Sequence, residues 1–248
     1  MDEVLHALAH SDDEERLINA LDEASKLLAR DAALRNQLEG DEQLWKLISH
    51  QWDLVSAGSE DEVNRSLALS LARFTRNAVA GVPTNQQRAY EFEERIRNVL
   101  YYQTSFVVLQ EADALPLTRM LVQTLSNMIT SNEALLTNFW TTHLELSEQR
   151  NILIRLLQAH DEATVMSTLV LVYNCLHDSP ARCAQLSETA GGKRVLVLLL
   201  DRTQHLSEKQ DDSPAFKIAY QLFEHLFDNG LAPSLWTALQ PPPLSSAQ

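Results

Sequence analysis

Six arginines, Arg65, Arg73, Arg76, Arg88, Arg95 and Arg97, crowd one stretch of a chain whose formal net charge is −14. Only Glu91, Glu93 and Glu94 oppose them locally. A guanidinium stays charged and presents a planar fork of donors, so clustered arginines suit carboxylate or phosphate oxygens. Arg73, Arg76 and Asn77 sit together near an expected helix end, which suggests a shallow groove for an acidic or phosphorylated segment of a protein partner. The competing reading is local. Glu91 with Arg95, and Glu93 with Arg97, stand at the four-residue spacing of intrahelical ion pairs.

Elsewhere the residues that do chemistry are scattered. His143, His160, His177 and His205 form no His-Glu-x-x-His pair. Gly191-Gly192-Lys193-Arg194 lacks the earlier glycine, the following hydroxyl and the preceding strand of a phosphate loop, and reads as a helix stop followed by a helix start. Cys175 and His177 are two apart on an expected helix and so point away from each other. There is no Gly-x-Ser-x-Gly elbow. No catalytic residue, metal or cofactor is expected, and the chain reads as a binding protein rather than an enzyme.

Composition narrows the partner class. Nucleic acid and anionic membranes both need clustered positive charge, which a net charge of −14 opposes. Cys175 and Cys183, the two cysteines, have no metal-type spacing, and a reducing, cytoplasmic setting is expected. The first sixteen residues carry acids where a signal peptide would be basic, and the apolar run 195–200 is too short to span a bilayer.

The elements that must position these residues all read as helices. Leu17, Leu21, Ala24 and Leu28 recur at helical spacing, with Ser11 and Glu14 as a capping box. Similar patterns cover 60–80, 84–110, 148–158, 162–176, 180–188, 193–200, 214–228 and 232–239. Residues 203–213 form the one long polar connection and are expected to be a loop. No stretch alternates like a strand. A single domain over 1–240 is expected, with 241–248 a flexible tail.

Three of these helices carry an apolar pattern ending in asparagine, at Asn77, Asn127 and Asn174, with His225 a fourth candidate. The near-constant spacing points to stacked helical units of the armadillo/HEAT kind, a right-handed solenoid. The asparagines either satisfy backbone groups in neighbouring loops or present amides to an extended peptide. Phe74-Thr75-Arg76-Asn77-Ala78 followed by Pro83-Thr84-Asn85-Gln86 resembles the ataxin-10 family, as do Thr124–Glu133 with Phe139-Trp140 and Leu171–Leu176. The resemblance covers about residues 60–200, and is to the N-terminal part of a fungal-type member. It implies an armadillo-type fold, no catalysis, and cytoplasmic protein–protein interactions linked to cytokinesis and cell survival. The alternative is a regulatory armadillo protein acting on a small or heterotrimeric GTPase. The 231–239 segment, with Trp236, is a candidate surface for self-association through the C-terminal end.

Overall fold

The computed structural model describes residues 2–9, 13–57, 64–105, 108, 111–209 and 213–230. Among them there is no strand. The helices are α1 (Asp2–Ala9), α2 (Glu14–Arg30), α3 (Ala32–Gln37), α4 (Glu42–Ala57), α5 (Arg65–Val79), α6 (Pro83–Tyr90) and α7 (Glu93–Gln103). They continue with α8 (Leu115–Ile129), α9 (Glu133–Glu145), α10 (Ile152–Leu157), α11 (Glu162–Leu176), α12 (Pro180–Glu188), α13 (Ala190–Lys209) and α14 (Pro214–Asp228), and a 3-10 turn spans Leu38–Gly40.

Local chemistry sets the boundaries. The Asn64 side chain accepts from Leu67 N at 3.0 Å, Asp161 from Thr164 N at 2.8 Å and Ser213 from Phe216 N at 3.1 Å, each satisfying an otherwise orphaned first-turn amide. Prolines occupy the first turns of α6, α8, α12 and α14, where no amide hydrogen is needed. Helices α5, α8, α11 and α14 each end in the same way. The second residue past each has positive φ: Gly81 (72°), Ser131 (62°), Asp178 (55°) and Gly230 (78°).

Every third helix packs on its counterpart. The most extensive contacts run α2–α5–α8–α11–α14, an inner row. Arg73 pairs with Asp22 and Asn77 with Ser25, while Thr124 reaches Ala72 O and Asn127 reaches Arg76 O. The nearly constant offset makes these helices parallel and in register. A second row runs α1–α4–α7–α10–α13. Helices α3, α6, α9 and α12 link the rows, and are bonded in turn through Asn85 to Arg35 O, Asn132 to Gln86 and Arg182 to Glu133. One continuous apolar cluster extends through the rows from Val4 to Leu226, with Trp52, Phe74, Phe139 and Trp140 wholly buried in it.

The structure corrects several expected elements. The span 84–110 is two helices, α6 and α7, broken at Glu91-Phe92, with 106, 107, 109 and 110 outside the described residues. Ala89, Phe92, Ile96 and Val99 are all buried, so the apolar rhythm runs on through the turn and conceals it. Residues 203–209 are helix rather than loop, because Leu199 and Leu206 keep one face of α13 in the core. Residues 148–150 form a turn, and α10 begins after its cap Asn151. Asp13 rather than the expected Ser11 caps α2, Ser11 lying outside the described residues. The expected 232–239 helix and the 241–248 tail also lie outside them.

The expected helix stop and start are present, with the break at Thr189 between α12 and α13, and Gly191 and Gly192 lie just after it in the first turn of α13. A Cβ on Gly192 would sit 2.2 Å from Gln185 O, and one on Gly191 would sit 2.2 Å from Leu144 O. The pair lets α13 press against the backbones of α12 and α9. Alanine would gain about 1 kcal/mol of helix propensity, whereas forced overpacking costs about 1–3 kcal/mol. At such an approach to rigid backbone the clash wins. Gly192→Ala is expected to lower the urea midpoint without changing its slope, and an unchanged or higher midpoint would contradict the close packing.

Candidate functional site

The basic stretch is largely neutralised once the chain is folded. Arg65 meets Glu111 and Asp113, Arg73 meets Asp22 at 3.5 Å, and Arg88 meets Glu42 at 3.6 Å. Arg95 pairs with Asp53, and Arg97 with Glu93 at 3.1 Å. The expected Arg97–Glu93 pair is therefore present. The expected Glu91 partner for Arg95 is replaced by Asp53 and Ser49 of α4, against which α7 packs. Arg76 differs from its five neighbours: among the described residues it has no carboxylate partner. Its Nε donates to Asn77 Oδ1 at 3.1 Å and its Nη1 to Gln123 Oε1 at 2.7 Å, both neutral acceptors. Burial, together with the like charge of Arg73, pulls its pKa below the usual arginine range.

Arg76 opens onto a groove of about 480 Å³. Ala29 and Arg35 form one end. Arg76, Asn77 and Ala80 of α5, then Gln123, Ser126 and Asn127 of α8, form the middle, and Met166, Ser167 and Val170 of α11 form the far wall. No acidic residue lines it. Arg35 gives Nη1 to Leu28 O at 2.7 Å, keeps Nε buried without a partner, and has no ion pair among the described residues. Sequence spacing hides Arg35. It stands four residues after Asp31 and so looks like half of an intrahelical pair, yet the Asp31 carboxylate is occupied capping Ala33 N and Leu34 N.

The expected asparagines divide by their remaining hydrogen-bonding capacity. Asn77 is buried and gives both amide hydrogens to Ser25, to its carbonyl and its hydroxyl, each at 2.9 Å. Its Oδ1 holds Arg76, so it positions the guanidinium rather than reading a ligand. Asn174 likewise gives Nδ2 to Ser126 Oγ and Thr130 Oγ1, both at 3.0 Å, and stands behind the groove. Asn127 makes one such bond, 3.2 Å to Arg76 O, and keeps an amide hydrogen and its oxygen for something else. Arg73 is not part of the lining. His225 continues the series by bonding Leu176 O at 3.0 Å, with its ring against Tyr173 and His177. Asparagines and histidine thus cross-link successive inner helices, and the neighbouring groups they satisfy lie mainly on helices rather than in loops.

The same structural work explains Asn85 and Gln86, both buried. Asn85 Nδ2 donates to Ala78 O and Arg35 O, and Gln86 Nε2 to Asn127 O and Thr130 O. Cys175 is fully buried, its thiol pushed up by desolvation, while His177 caps the end of α11. Burial also pushes the Cys183 thiol up, to about 11. Among the described residues no three His, Cys, Asp or Glu side chains gather as a metal site, and no helix is long and apolar enough to cross a membrane. No family model, curated protein or solved structure matches the chain.

Two measurements check this account. Asn77→Ala removes two buried hydrogen bonds and is expected to cost about 1–3 kcal/mol of unfolding free energy, more than Asn127→Ala, which removes one; equal effects would contradict the accounting. His143 is fully buried, its Nδ1 is 2.7 Å from Phe139 O, and its Nε2 has no partner. Nδ1 therefore carries the hydrogen of a neutral ring, and burial lowers its pKa from 6.5 to about 3. The unfolded chain takes up a proton below about pH 6.5 that the folded chain refuses until about pH 3. Stability should therefore fall on acidification through that window, by up to about 1.4 kcal/mol per pH unit from this group. In His143→Gln that portion of the slope should vanish.

Proposed function

We propose that the chain is a non-catalytic protein–protein interaction scaffold of the armadillo-like solenoid type, similar to ataxin-10 and acting in the cytoplasm. The observation that carries this reading is the groove: stacked inner helices present amides and the Arg76 guanidinium, and α3 adds that of Arg35, both without carboxylate partners, to an opening that no acid lines. Such a surface suits an acceptor-rich, extended protein segment. Three-helix units bonded to their counterparts support the solenoid form, since each unit leaves faces that only a neighbour covers.

The resemblance to ataxin-10 rests on sequence motifs whose residues have structural roles here. Arg76-Asn77-Ala78 and Asn85-Gln86, residues that carry it, hold one unit to the next. A role in cytokinesis or cell survival follows from that resemblance alone and is proposed on it. Crosslinking in cells followed by mass spectrometry is expected to place partner crosslinks along α5, α8 and α11. The double variant Arg76→Glu with Gln123→Glu, confirmed folded by circular dichroism, should lose them. Unchanged partners and yields in that variant would sink the groove reading.

A further inference from the structure

The groove's polarity is one-sided. Arg76 Nη2, Arg35 Nη2, Gln123 Nε2 and one Asn127 amide hydrogen have no hydrogen-bond partner among the described residues. Gln123 Oε1 and Asn77 Oδ1 are turned onto Arg76, so the nearby acceptors are consumed in fixing the guanidinium plane. What remains is a set of donors around two positive charges, with no carboxylate in the lining. The arrangement is unusual for this chain, whose acids neutralise the other five arginines of the 65–97 stretch.

A carboxylate brings one negative charge and two oxygens, which a single arginine fork satisfies. A phosphorylated side chain brings about −1.5 to −2 charges and three strong acceptor oxygens, which balances both guanidinium groups and uses the amide donors as well. We propose that this groove is a phosphoryl-recognition site. Arg35 and Arg76 clamp one phosphorylated side chain of an extended protein segment, and Gln123 and Asn127 donate to its remaining oxygens. The inference rests on the scaffold reading and adds to it that partner binding is switched on by phosphorylation. Asn77 is a positioning residue, since it holds Arg76 and faces Ser25.

The test uses the full chain and three fluorescein-labelled degenerate nonapeptide pools whose central residue is fixed as phosphoserine, glutamate or serine. Fluorescence anisotropy is expected to show the phosphoserine pool binding about ten-fold or more tighter than the glutamate pool. Arg76→Gln should remove about ten-fold of that affinity, and Arg76→Lys should restore only part, because an ammonium lacks the fork. Arg73→Gln, outside the groove, should change it by less than about two-fold. Arg35→Gln should match Arg76→Gln. Because Arg35 also caps Leu28 O, its thermal melt is read alongside, and Arg76→Gln decides the matter should Arg35→Gln unfold. Equal binding of the phosphoserine and glutamate pools would overturn phosphoryl selection and leave the acidic-segment reading standing. An Arg73→Gln loss as large as that of Arg76→Gln would overturn the clamp in favour of diffuse surface charge. Absence of binding to all three pools would also overturn it, while the scaffold reading would still be decided by the crosslinks.

Discussion

Each inner helix is joined to the one before it by side chains reaching one unit back. Asn77 bonds Ser25, Thr124 bonds Ala72 O, Asn174 bonds Ser126 and Thr130, and His225 bonds Leu176 O. With the exception of Trp52 to Thr75, the long-range side-chain hydrogen bonds among the described residues span between 41 and 54 residues. That is one repeat unit. The described residues therefore make their side-chain hydrogen bonds mainly to the helices next to their own in each row. The apolar cluster provides most of the burial energy. The polar cross-links add register, since a helix slipped by one residue would leave amides and carbonyls buried and unpaired.

Register in turn creates the groove. Parallel, aligned inner helices bring Arg76, Gln123 and Asn127 to one surface, while α3 adds Arg35 from the preceding unit. The second row handles its arginines differently. Arg95 reaches Asp53, Arg155 lies 4.0 Å over the Tyr101 ring and donates to Tyr101 O, and Arg202 donates to Leu157 O. Those guanidinium groups are consumed in holding successive outer helices together. On the inner row Arg73 is likewise spent on Asp22. The charge of Arg76 is left available because its nearest acceptors are neutral amides. A protein this acidic has carboxylates to spare, so their absence from the groove lining is a property of the surface and not of composition.

The last unit departs from the pattern in an instructive way. The positive-φ residues that follow α5, α8 and α11 lie four positions after Asn77, Asn127 and Asn174. After α14 the corresponding position, four before Gly230, is Leu226, which is buried, and the polar reach is made by His225 one residue earlier. Tyr220 and Phe227 of α14 are about half exposed, so this end of the row carries more uncovered aromatic surface than the units before it.

Much of the architecture was legible in the amino-acid order alone. Helical periodicity and the recurrence of Asn77, Asn127 and Asn174 identify helices and their repeat, because these signals act within a turn or recur at fixed distance. The break at Glu91-Phe92 and the helical character of 203–209 were not legible, since buried apolar spacing continues through the first and the second is rich in polar residues, with Gln204 and His205 exposed. The fate of each charge was settled only by packing. Sequence spacing pairs Arg95 with Glu91 and Arg35 with Asp31, yet α4 offers Asp53 to the first and helix capping removes the carboxylate from the second. An ion pair depends on which helix lies alongside, and that is a property of the stacked rows rather than of any one stretch of chain.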